Sequence, residues 1–189
     1  MDSVKLLQRT VDQTNTVIEG LTDADLGKPT ACTEWTVRDL LNHITGGATM
    51  FAVSAEQGSV PDDMVGQLMG GDNLGDDWRG AWNTASRRAI AVYDQPGVMD
   101  KTVTLPFGQM PAGVALGIAI FDVTTHAADL ATATGQKVDD EELVEAALEM
   151  GKQMIGPDLR VPGVFGPEQP CTDAATSTEK LLAFAGRTV

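Results

Sequence analysis

Apolar residues recur at helical spacing along four long stretches of this chain, and that pattern constrains the fold more than any other feature. In residues 2–20 the run Val4, Leu6, Leu7, Val11, Val17 and Ile18 marks one face of a helix that Gly20 stops. A second helix starts at Thr36, where Thr-Val-Arg-Asp forms a capping box with Thr36 as N-cap and Asp39 three residues on. Trp35 precedes the cap and is placed to staple against Leu40, and the helix continues through Leu40, Leu41, His43 and Ile44 to about Glu56. Gly46 and Gly47 weaken it but admit another helix or a ligand at close range. The third helix spans about Leu74–Tyr93, with Trp78, Trp82, Ala85 and Ile90 on one side and Gln95-Pro96-Gly97 ending it. The fourth runs to Thr134, with Pro111 in its first turn and Gly135 as C-cap.

The intervening segments read differently. Residues 21–35 are polar and irregular, and 57–75 are rich in glycine and aspartate, a long mobile connection. Residues 101–110 alternate briefly around Pro106 and Gly108, an extended or hairpin-like piece. A further amphipathic helix covers Asp139–Ile155, then comes the Pro/Gly-rich stretch VPGVFGPEQP, and a short helix over Ser177–Ala185 ends the chain. No internal repeat or low-complexity run interrupts this order. The expected architecture is an all-α four-helix bundle with crossover connections, in one domain over residues 1–189. Its core covers about 2–155, and residues 156–189 form a C-terminal extension of extra helices and short extended segments.

Composition supports helices and narrows the partners. With one Tyr, five Phe and three Trp in 189 residues, the core must rest on aliphatic side chains, which suit helices better than sheets. The net charge of −14 repels phosphate backbones and anionic lipid surfaces, so neither nucleic acid nor membrane is an expected partner. No apolar run approaches the roughly 20 residues needed to span a bilayer. The N-terminus lacks the apolar stretch of a secretion signal, and Cys32 and Cys171 stand far apart without CxxC spacing. These features point to a cytoplasmic protein.

The chemistry is concentrated in few residues. The chain has two histidines, His43 and His126, each within an apolar helical stretch. Asp122 precedes His126 by four residues in FDVTTHAADL, which puts both side chains on one helix face a turn apart. This pair can chelate one ion, and the same spacing also suits a plain carboxylate–imidazole hydrogen bond. With His43 contributed by a facing helix, the set becomes two imidazoles and a carboxylate with open positions, a catalytic type of metal site. Asp39 lies one turn before His43, where it can orient the imidazole or simply cap the helix. Asp129 reads as a solvated or capping polar residue, and Arg79, Arg87 and Arg88 as surface residues. No phosphate-binding glycine loop, nucleophile elbow or CxxC cluster is present.

Two segments carry a family resemblance. PTACTEWTVRDLLNHITGG at 29–47 resembles the signature of actinobacterial mycothiol-dependent maleylpyruvate isomerase-like proteins, within the DinB-like superfamily. FDVTTHAADLATATGQ at 121–136 is similar to that family's carboxylate-x-x-x-His-x-x-Asp-Leu-Ala segment, and FGPEQP…EKLLAFAGR resembles family C-termini. The resemblance implies a DinB-like bundle in up-down-down-up order and a divalent metal, zinc or nickel, held by His43, Asp122 and His126. It also implies mycothiol as a low-molecular-weight thiol co-substrate, an electrophilic small-molecule substrate, and S-transferase or isomerase chemistry in which the metal activates the thiol. A homodimer is compatible with this reading.

The family's carboxylate is commonly Glu; Asp122 is shorter by one C–C bond, so its helix must approach the ion more closely. The isomerase carries a separate C-terminal domain, for which the roughly 50 residues after the fourth helix are too few. Two other readings stay open: a non-catalytic bundle that binds a small molecule or partner protein through a degenerate site, and an iron oxygenase, which uses the same ligand types.

Overall fold

The computed structural model describes residues 2–32, 35–160 and 165–189. These form seven α-helices and one two-stranded hairpin: α1 Ser3–Glu19, α2 Val37–Gln57, α3 Asp62–Gly70, α4 Trp78–Tyr93, β1 Thr102–Leu105, β2 Gly108–Pro111, α5 Ala112–Thr134, α6 Glu141–Met154 and α7 Ser177–Phe184. The long helices α1, α2, α4 and α5 make the bundle, with α2 packed on α4 and α5, and α1 packed on α5 and α4.

Hydrogen bonds between helices set their directions. Trp82, near the start of α4, donates to Asn15 near the end of α1 at 2.7 Å, so those two run antiparallel. Arg38 at the start of α2 donates to the Gly75 carbonyl just before α4 at 3.0 Å, and Arg88 late in α4 pairs with Glu56 late in α2. Those two helices are therefore parallel. Gln136, just past α5, donates to the Val17 carbonyl late in α1 at 3.1 Å, so α1 and α5 are parallel as well. Along the chain the bundle is up, down, down, up.

Local sequence explains most boundaries. The capping box at Thr36 and Asp39 forms as its spacing predicts, and Gly58 closes α2 in the left-handed region at φ 85°. Gly135 ends α5 in the same way, at φ 71°. Some expectations change. The 57–75 connection contains α3, which begins after Pro61 with Asp62 and Asp63 in its first turn and buries Leu68 against the core. Its glycines disguise it. Helix α4 begins at Trp78 rather than Leu74, because Asp72 accepts the Leu74 and Gly75 amides in a turn and Asp77 caps the helix through the Gly80 amide. Pro111 ends β2 and serves as N-cap of α5 instead of sitting in its first turn. Trp35 stands beside the imidazole of His43, with ring centroids 5.0 Å apart and the rings tilted by 47°. Residues 161–164 of the Pro/Gly-rich stretch lie outside the described residues.

Helix α5 is the spine of the fold. It is apolar nearly all round, and by length and hydropathy alone it is able to cross a membrane, contrary to the sequence reading. In the bundle, 78% of its most apolar window is buried, against α1, α2, α6 and α7. Gly46 of α2 lets the Leu68 carbonyl of α3 approach so closely that a Cβ there would sit 2.2 Å from it. Gly47, the next residue, faces α5, where a Cβ would lie 3.9 Å from Oδ2 of Asp122.

Candidate metal centre

The start of α2 and the second half of α5 meet at the end of the bundle where α1 stops. His43 stands on the second turn of α2; Asp122 and His126 stand one turn apart on α5. The antiparallel packing of α2 on α5 brings all three together. Nε2 of His43 lies 3.4 Å from Oδ2 of Asp122, and Nε2 of His126 lies 3.5 Å from Oδ1 of the same carboxylate. One ligand atom from each residue lies within 4.8 Å of the other two. The short Asp122 side chain thus reaches both imidazoles.

The surroundings differ on the two sides. His126 is buried, whereas His43 and Asp122 are half-buried and face the opening. Trp35 flanks that opening, with ring centroids 5.0 Å from His43 and 6.1 Å from His126. It is held there by a small ladder in which Thr30 donates to the Trp35 carbonyl and Val37 to the Lys28 carbonyl. Cys32 is placed by the same loop.

On the buried side, Nδ1 of His126 lies 3.0 Å from Oδ2 of Asp129, which is wholly buried. Arg187, from the residues after α7, donates to both oxygens of Asp129, at 3.1 Å from Nε and 2.7 Å from Nη2. Nη2 also lies 3.0 Å from Sγ of Cys32, whose thiol is 3.3 Å from Asp129. The expectation of a solvated Asp129 is therefore overturned. At a wholly buried position a charged side chain has to be paired, and the i, i+3 spacing from His126 is the signal for one partner.

The other sequence candidates fall elsewhere. Oδ2 of Asp39 accepts from the Thr36 amide at 2.9 Å and hydroxyl at 2.6 Å, and among the described residues it makes no hydrogen bond to His43. Arg79 is not a free surface residue, since its guanidinium donates to the Leu21 carbonyl and lies over the Trp78 ring. Arg88 pairs with Glu56.

The electrostatics favour a bound positive charge. Burial opposes ionisation of Asp122, but the His43 and His126 imidazoles hold its carboxyl well below the usual carboxylate range. Burial likewise opposes a charged His126, yet the Asp122 carboxylate, with hydrogen bonds to Asp122 and Asp129, raises it well above its usual value. Burial would raise Asp129, but hydrogen bonds from His126 and Arg187 keep it low. A divalent cation can take the place of the protons such a cluster holds.

The sequence family described as the mycothiol maleylpyruvate isomerase N-terminal domain matches residues 7–131, a span that includes all three converging residues. The chain belongs to this family. Among its relatives are uncharacterized proteins of Mycobacterium tuberculosis strains CDC 1551 / Oshkosh and H37Rv, each 35% identical over 195 aligned positions covering 100% of both chains. Two crystal structures of the mycothiol-dependent maleylpyruvate isomerase share the fold. One, of a mutant form, superposes with TM-score 0.65 at 16% identity, and the other with TM-score 0.62 at 17%. Each match covers 79% of this chain and 66% of the isomerase, so the family fold here spans just under two thirds of the isomerase's length.

Proposed function

We propose that His43, Asp122 and His126 hold one divalent metal ion, zinc or nickel, and that the protein is a metal-dependent enzyme acting on a low-molecular-weight thiol. The observation that carries this reading is the convergence of two imidazoles and one carboxylate within 4.8 Å on a half-open face of the bundle. Three ligands with further positions open is the arrangement of catalytic rather than structural zinc. The donor set suits zinc or nickel, since imidazole nitrogen is a good ligand for both.

Membership in the mycothiol maleylpyruvate isomerase N-terminal domain family supports mycothiol as the thiol and an S-transferase or isomerase as the reaction class. When bound, a divalent ion lowers the pKa of a coordinating thiol enough to deprotonate it. The chain's own residues supply the rest. Asp129 takes the Nδ1 side of His126, which leaves Nε2 directed at Asp122. Trp35 flanks both imidazoles on one side. Gly47 leaves room beside Asp122 that a larger side chain would narrow.

The test is anaerobic mixing of zinc-loaded protein with mycothiol while proton release is followed. Release of about one proton per site is expected. No release and no binding would remove the thiol role, and a purified chain carrying far less than one metal equivalent would favour the non-catalytic bundle instead.

A further inference from the structure

The C-terminal Arg187 lies outside the residues that match the family, and the proposed ligands do not touch it. Its position is nevertheless built. Helix α7 ends with the Gly186 amide donating to the Ala183 carbonyl and the Arg187 amide to the Leu182 carbonyl. Gly186 makes this turn at φ 93°, which favours glycine, and packs so tightly on Gly166 that a Cβ would come within 3.1 Å of the Gly166 Cα. The turn directs the guanidinium inward, to the one buried carboxylate of α5 that contacts a proposed ligand.

There the fork of Arg187 engages both Asp129 oxygens, and Asp129 engages Nδ1 of His126. A two-point contact fixes the plane of the carboxylate as well as its place, which a single-point charge does not. With Oδ2 of Asp129 held against Nδ1, the imidazole has one orientation in which Nε2 faces Asp122. The geometry points to Arg187 as a positioning residue for the metal centre: the C-terminal segment completes the site by locking Asp129, and through it His126. This inference rests on the metal reading above. It assigns a role to the AFAGR sequence at the end of the chain, which the three ligands leave unexplained.

The experiment is zinc titration of the full chain against a chromophoric chelator, together with the cobalt(II) absorption spectrum, for the parent, Arg187→Gln, Arg187→Lys, Asp129→Asn and the double variant Asp129→Asn/Arg187→Gln. Loss of an outer partner of a metal-binding histidine weakens metal affinity about 10–100-fold, and that range is expected for Arg187→Gln and Asp129→Asn. The double variant should be no weaker than Asp129→Asn alone, because Arg187 acts through Asp129. Arg187→Lys keeps the charge and the fold but not the fork, so it should melt like the parent, bind zinc more weakly and show an altered cobalt spectrum. It decides the matter if Arg187→Gln does not fold. Parent-like zinc affinity and cobalt spectrum in Arg187→Lys, or a fully additive loss in the double variant, would overturn the inference while leaving the metal site standing. A parent chain that takes up no zinc would instead overturn the metal reading, and this inference with it.

Discussion

The imidazoles of His43 and His126 meet edge to face, with ring centroids 4.9 Å apart, although they come from different helices. Between them Asp122 reaches both Nε2 atoms. The two rings and the carboxylate form a cluster that only the antiparallel packing of α2 on α5 assembles.

Trp35 reports on this cluster. Its ring lies 5.0 Å from His43, whereas Trp78 and Trp82 are buried in the bundle and bonded to Asp23 and Asn15. Nickel(II) added to metal-free protein should therefore quench tryptophan fluorescence, and Trp35→Phe should remove most of that change without altering the metal stoichiometry. Equal quenching in both proteins would mean that the ion binds elsewhere.

The two adjacent glycines of α2 should respond in opposite ways to alanine. A Cβ at Gly46 meets the Leu68 backbone carbonyl at 2.2 Å, so Gly46→Ala must displace α3 and should cost about 1–3 kcal/mol by urea unfolding. Gly47→Ala meets Asp122 only at 3.9 Å, an ordinary contact, and should gain up to about 1 kcal/mol from helix propensity. The measurement is the pair of unfolding curves, and equal destabilisation would contradict the close packing of α3 on Gly46.

Much of this was legible in the sequence, and the failures have physical reasons. The capping box at Thr36 and the glycine stops at Gly20 and Gly135 are local devices, so their positions follow from neighbouring residues alone. The i, i+4 spacing of Asp122 and His126 puts them on one helix face without any tertiary contact. Helix α3 was hidden because its glycines outweighed a short apolar stripe that only packing on the core rewards. Of the two partners of Asp129, His126 stands within local i, i+3 reach, whereas Arg187 lies 58 residues away, beyond any local pattern.

Acid stability offers a check away from the site. Asp140 caps α6 through the Leu143 amide at 3.1 Å and pairs with Arg9 of α1, and the Arg9 hydrogen bond holds its carboxyl below the usual carboxylate range. A depressed folded-state pKa adds stability that is fully present above the unfolded value near 3.8 and is lost as the pH falls through the folded value. Asp140→Asn should therefore lower stability at neutral pH by about 0.5–2 kcal/mol, a cap-sized loss, and flatten the decline below pH 4. Parallel pH profiles for the two proteins would contradict the Arg9–Asp140 pairing.

The proposed metal centre requires one ion bound by His43, Asp122 and His126 together. The most direct measurement is metal content by mass spectrometry, on untagged parent and His43→Ala, each incubated with zinc and desalted. His43 is half-buried, so the substitution should leave helical content by circular dichroism nearly unchanged. One zinc per parent chain and well below one per His43→Ala chain is expected. Equal zinc in both proteins, or none in the parent, would contradict it.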